Sequence, residues 1–261
     1  MAQRPTRSLK HEYELFVEQE IENYKESVPR SVLLSIGDDA VSSLFAAPQF
    51  TLTEIVLCDE VDKIIFKRLR LPAYDTWRRR RVKLIEEMRR PEHWGLRPDD
   101  VLVRALPSSA DGTVLVAGAP DEKSALYLAA NGCDVTAITV EPDALERVIQ
   151  AAIGAGLGGR VHALMGDLSS WTPGGALSAV IVNPAALDAL SPDERTRVIQ
   201  LLQGATADGG VHLVQTIAPS SSKSNGAISL EELRSRYQGW SVTVERADGR
   251  AKTFLARKGA A

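Results

Sequence analysis

Cysteine, histidine and aromatic residues are all scarce in this 261-residue chain. The two cysteines, Cys58 and Cys133, lie far apart without metal-type spacing. That excludes a disulfide framework and points to a reduced cytoplasm as the expected location. The four histidines, His11, His93, His162 and His212, are scattered, so no metal site is expected. His162 and His212 alternate with apolar residues and read as structural. No apolar run approaches the length of a membrane span. The opening "MAQRPTRSLKHEYELF" lacks an apolar core, so neither a membrane role nor a signal peptide is expected. The net charge of −3 argues against wholesale coating of nucleic acid. No internal repeat and no low-complexity tract is present.

What charge there is lies unevenly. Residues 1–62 carry 5 Lys/Arg against 12 Asp/Glu, and residues 63–108 carry 13 against 6. The front of the chain is therefore a dipole in sequence, and its two stretches are expected to fold against each other. Exposed ion pairs contribute only about 0–1 kcal/mol each, so apolar faces must do most of that packing.

Periodicity divides the chain in two. Residues 1–108 read as helices: one after Ser8 as N-cap, one over 31–47, one from Thr53 as cap towards Pro72, one over 75–90 and a short one near 99–106. "PSSADG" at 107–112 reads as a linker. From Thr113 onward strands and helices alternate: "TVLVAG", "DVTAITV", "RVHALMGD", "LSAVIVNP" and "GGVHLVQTIA" are strands, with helical stretches between them. Asp248-Gly249 between two further strands is a hairpin signal. The alternation predicts a seven-stranded, mostly parallel α/β sheet over 109–261, Rossmann-like, with a C-terminal antiparallel hairpin and helices on both faces.

Several blocks of the second region are informative in their order: "VLVAG…ALYLAANGCDVTAITVEPDALERV", "GLGGRVHALMGDLSSW", "LSAVIVNPAALDALSPDERTRVIQLL" and "ADGGVHLV". Together they resemble the core of the class I S-adenosylmethionine (SAM) dependent methyltransferases, over about 109–261. No family resemblance covers 1–108. The resemblance implies SAM as cofactor and methyl transfer to an acceptor, expected to be a small molecule.

It also implies site positions. Gly118 matches the first glycine of the cofactor loop, while Pro120 and Glu122 replace the next two, and Lys123 beside them is placed to attract the cofactor carboxylate. Thr139 stands at the usual ribose-acid position, with Glu141 two residues on and on the same face of a strand. Asp167 in "GDL" matches the adenine-side acid. "NPAA" at 183–186 is similar to the Asn-Pro motif of amino-group methyltransferases, which makes Asn183 the catalytic candidate, although the aromatic residue of that motif is missing. A loop so changed implies weak SAM binding, in the tens of micromolar or worse, at about −6 kcal/mol or less favourable.

Arg78, Arg79, Arg80 and Arg81 form the remaining feature. Four consecutive arginines on a helix point to several sides. They serve as a solvated face paired with the acidic front stretch, or they meet an acidic protein or nucleic acid. Three functions stay open: a SAM-dependent methyltransferase whose helical front part covers the cofactor, a binding or scaffold protein that keeps the fold without transfer, and nucleic-acid modification or binding through the arginines.

Overall fold

The computed structural model describes residues 8–46, 54–105, 112–118, 122–217, 227–246 and 252–259. The chain forms two compact units, Met1–Leu84 and Ile85–Ala261.

The first unit is helical: α1 (Leu9–Ser27), α2 (Arg30–Phe45), α3 (Glu54–Leu69) and the first part of α4 (Tyr74–Met88). Ser8 caps α1, its hydroxyl accepting the His11 amide at 3.2 Å. The expected cap Thr53 and the linker 107–111 lie outside the described residues. Ile21, Ile36 and Ile65, one from each of α1, α2 and α3, form the small core. Tyr13, Phe16, Tyr74 and Trp77 make a second, aromatic contact between α1 and α4, and the Tyr13 hydroxyl donates to the Pro72 carbonyl at 2.9 Å. The acidic and basic stretches do meet here. Arg81 pairs with Glu12 at 3.2 Å and Arg68 with Asp39 at 2.9 Å. Of the arginine run, Arg78, Arg79 and Arg80 are exposed. The Arg79 Nε donates to its own helix, at the Asp75 carbonyl.

The second unit holds the sheet. Its strands are β1 (Thr113–Ala117), β2 (Asp134–Thr139), β3 (Val161–Met165), β4 (Leu177–Val182), β5 (Thr206–Ile217), β6 (Ser241–Arg246) and β7 (Lys252–Arg257). The order across the sheet is β3-β2-β1-β4-β5-β7-β6. β1 to β5 are parallel, and β7 lies antiparallel between β5 and β6. The expected C-terminal pairing is therefore present, while the Asp248-Gly249 turn lies outside the described residues.

Alternate residues of each strand feed two separate cores, as period-two geometry requires. Val114, Val116, Val135, Ala137, Ala179 and Ile181 pack under α6 (Lys123–Ala130) and α7 (Pro142–Gly154). Leu102 of α5 (Val101–Ala105) and Trp94 of the 3-10 turn Pro91–Trp94 join this layer, so 85–105 belongs to the sheet's unit. Leu115, Ala117, Ile138, Val180, Val182 and Val214 pack on the other side under α9 (Pro192–Ala205) and α10 (Leu230–Arg236). Starts are well marked. Pro142 opens α7, a Ser191–Glu194 capping box opens α9, and the Ser229 hydroxyl accepts the Glu232 amide of α10. β5 begins three residues before the Gly209-Gly210 pair that the sequence marks as its start. Thr206 already pairs with Leu177, and the register then shifts past it; Gly209 there has φ +75°.

One strand residue is polar and buried. His212 of β5 is 1% exposed. The Thr206 hydroxyl donates to the Leu202 carbonyl at 2.6 Å, so it accepts from His212 Nε2–H at 2.7 Å. His212 Nδ1 then accepts from the Tyr237 hydroxyl at 2.7 Å. Every ring nitrogen is satisfied only while the imidazole is neutral. Burial, with the Lys258 charge nearby, pushes its pKa down from 6.5 to about 3. The unfolded chain takes up this proton near pH 6.5 and the folded chain does not, so the contribution to stability is complete above that value and is lost progressively as the pH falls towards 3. The unfolding free energy should drop by roughly 1.4 kcal/mol per pH unit below 6.5. Urea titrations between pH 7 and 5 should show this slope in the natural chain and a flatter one in His212→Asn; equal slopes would remove His212 as its source.

Candidate functional site

The carboxyl ends of the parallel strands share one edge, where open α/β sheets take their ligands. Hydrogen bonds run one residue past β1, β3 and β4 and hold the exits together. Gly118 N–H donates to the Ile138 carbonyl at 2.8 Å, Gly166 N–H to Thr139 at 3.0 Å and Asn183 N–H to Ala117 at 2.9 Å. Gly118, Glu141, Asp167 and Asn183 leave β1, β2, β3 and β4 at this edge.

Gly118 has φ +64°, a conformation that disfavours a side chain. A Cβ placed there would lie 2.6 Å from the Ala186 Cβ. Ala186 belongs to α8 (Pro184–Asp188), a short helix that sequence reasoning missed. Ala119 and Pro120 lie outside the described residues. Glu122 is the N-cap of α6, and its side chain makes no capping bond, so the first turn of α6 offers its amides uncapped by it. Lys123 begins α6 and is exposed, its ammonium 4.0 Å from where a Cβ of Gly95 would stand.

Glu141 is the N-cap of α7 and is exposed, and its carboxylate makes no capping bond. Its amide donates to Thr139 Oγ1 at 3.2 Å, so the Thr139 hydroxyl helps orient the exit from β2. Asp167 is half-buried, and its Oδ1 accepts from Ser169 N–H at 2.8 Å, Ser169 Oγ–H at 2.7 Å and Ser170 N–H at 3.0 Å. The Ser169 hydroxyl first, then the Ser170 amide, hold its pKa below the usual carboxylate value. Oδ2 receives no such bond among the described residues.

Asn183 caps α8, its Oδ1 accepting the Ala185 amide at 3.0 Å. The Asn-Pro pair that suggested a reacting motif is here the N-cap and first residue of a helix. Two further residues fix this helix. Arg195 donates to the Leu187 and Leu190 carbonyls at 3.0 and 3.3 Å, and Asp188 Oδ1 accepts the Ile228 amide at 2.6 Å. Arg195 carried a visible signal: it occupies the buried stripe with Val198, Ile199 and Leu202. Among the described residues no cluster of His, Cys, Asp and Glu is arranged to hold a metal ion. No described helix is long and apolar enough to cross a membrane. An open cleft of about 490 Å³, lined by Thr172–Gly175 and the end of α9, lies at the opposite edge of the sheet and includes none of these residues.

No protein-family model matches the sequence, and no curated protein matches it. Solved structures do match. The N-methyltransferase NodS from Bradyrhizobium japonicum superposes with a TM-score of 0.51 at 15% identity, over 61% of this chain and 93% of its own. The CcbJ methyltransferase from Streptomyces caelestis gives 0.51 at 17% identity, over 61% of this chain and 88% of its own. TehB from Haemophilus influenzae gives 0.50 at 17% identity, over 60% of this chain and 61% of its own. The chain has the class I methyltransferase fold. At such identities the likeness is one of architecture alone.

The methyltransferase-fold unit makes one clear demand at its edge. Gly118→Ala places a methyl group against Ala186 and forces it into the left-handed region, at a cost of about 1–2 kcal/mol for the backbone alone and about 1–3 kcal/mol for the overlap. Denaturant unfolding should register the sum, and Gly118→Ala with Ala186→Gly should recover only the overlap part. Full recovery, or none, would contradict this division.

Proposed function

We propose that this chain is a SAM-dependent methyltransferase acting on a small-molecule acceptor through a weakened cofactor site. The observation that carries this reading is the pair of acids past β2 and β3. Glu141 stands at a helix start with its carboxylate not used as a cap, and Asp167 is held ionised with all its local bonds on one oxygen. A free carboxylate past the second strand suits a ribose diol, and Asp167 Oδ2 suits an adenine amine. The amides at the start of α6, which the Glu122 side chain does not cap, suit the methionine carboxylate, with Lys123 beside them. Bound there, SAM supplies an electrophilic methyl group for in-line displacement. The chain's own residues then need only bind, orient and exclude water, because proximity accounts for most of such a reaction. Glu122 brings a negative charge towards the carboxylate position, which is why binding is expected in the tens of micromolar or weaker, about −6 kcal/mol.

A second reading, a protein that binds through this fold without transfer, is favoured by Asn183. Its Oδ1 is engaged in capping α8, which leaves that oxygen one lone pair to offer an acceptor at the exit of β4. Titration calorimetry with SAM and with its demethylated product tests both. Measurable heat that is lost at least severalfold in Asp167→Ala and in Glu141→Ala supports the site, and unchanged affinity in either variant removes that residue. Pro120→Gly with Glu122→Gly should tighten binding. Binding without methyl transfer to any nucleophile in a panel of amines, thiols and phenols would favour the second reading.

A further inference from the structure

Arg195 is the one charged residue among the buried positions of α9, at 4% exposure. Its guanidinium donates to the Leu187 carbonyl through Nε, to the Leu190 carbonyl through Nη2, and to both carboxylate oxygens of Glu232 at 3.2 Å through Nη1. Glu232 in turn accepts from Arg236 Nη2 at 2.8 Å, and Arg236 also donates to the Thr196 hydroxyl. The network therefore joins α8, α9 and α10.

The helix it serves cannot stand alone. α8 has five residues, too few to hold a helix by internal bonds. Its N-terminus is tied by the Asn183 cap, its end by Asp188 to the Ile228 amide, and Arg195 holds the Leu187 carbonyl of its last turn and the Leu190 carbonyl just past it. Ala186 of the same helix rests directly on Gly118, so a displacement of α8 reaches the loop after β1.

We infer that Arg195 is a positioning residue: through the Leu187 carbonyl of α8 and the Leu190 carbonyl just beyond it, it sets the spacing between the exit of β4 and the Gly118 turn, and Glu232 keeps it in place. Its effect on cofactor binding rests on the function proposed above. Its effect on α8 does not.

The experiment pairs amide exchange with calorimetry on the full chain. In Arg195→Met, exchange across 185–190 should rise at least tenfold while the amides of β1 and β4 stay protected, and affinity for the demethylated cofactor should fall at least fivefold. Arg195→Lys, which keeps a donor within reach of one carbonyl, should restore part of both, and it carries the comparison if Arg195→Met does not fold. Val198→Ala, on the same stripe without a bond to α8, should lower the melting temperature and leave α8 exchange and affinity unchanged. Unchanged exchange in 185–190, or a rise of equal size across β1 and β4, would overturn the inference. If the natural chain takes up neither SAM nor its product, the proposed function falls, and the exchange comparison alone decides the role of Arg195.

Discussion

A parallel sheet has no face to give to water, because its crossover helices must lie on both sides. In β1 this makes Val114 and Val116 core for one layer, and Leu115 and Ala117 core for the other. The same alternation runs through β2 and β4. With both faces covered, each strand can release its chain only at the edges, and parallel strands release it at the same one. The hydrogen bonds of Gly118, Gly166 and Asn183 to the neighbouring strands fix where those exits stand. The location of the candidate site is thus a consequence of burying the sheet.

Polar groups near that edge mostly serve the chain itself. Asp167 closes its own turn through Ser169 and Ser170, and Asn183 starts α8. Arg195 is deeply buried. A charge so placed is tolerable only when nearly every donor finds an acceptor, and the loss of one partner leaves the other uncompensated. The Leu187 and Leu190 carbonyls and Glu232 meet that requirement. His212 solves a similar problem without charge, as a neutral ring in a one-way chain from Tyr237 to Leu202.

The sheet, its faces and its terminal pairing were legible because hydrophobic alternation is a property of many residues at once. The cap Ser8 was legible because a hydroxyl before an apolar stripe has a specific job. α8 was hidden, since a helix of five residues has no room for a period. Its Asn-Pro start read equally well as a reacting motif. The packing of 85–105 with the sheet was hidden too: these residues are helical like their predecessors, and only tertiary contact of Trp94 and Leu102 assigns them. Arg195 differed from Arg197 by its place on the apolar stripe, a signal available in sequence but not tied to any target.

These layers separate what the fold needs from what a ligand needs. Gly118 matches a cofactor loop, yet its left-handed backbone and the Ala186 contact require a glycine whether or not anything binds. Its presence therefore says little about cofactor. Asp167 is divided between its own turn and a free oxygen. Glu141 differs from both. As an N-cap it is a poor choice, since Ser, Thr, Asp or Asn would cap α7 and its carboxylate does not. The fold gains nothing visible from it among the described residues. An exposed acid with no structural task among the described residues, placed two residues past β2 at the carboxyl edge of the sheet, is where function has the most independent say. Glu141, more than the glycine that first suggested a cofactor, is the residue whose presence a ligand would explain.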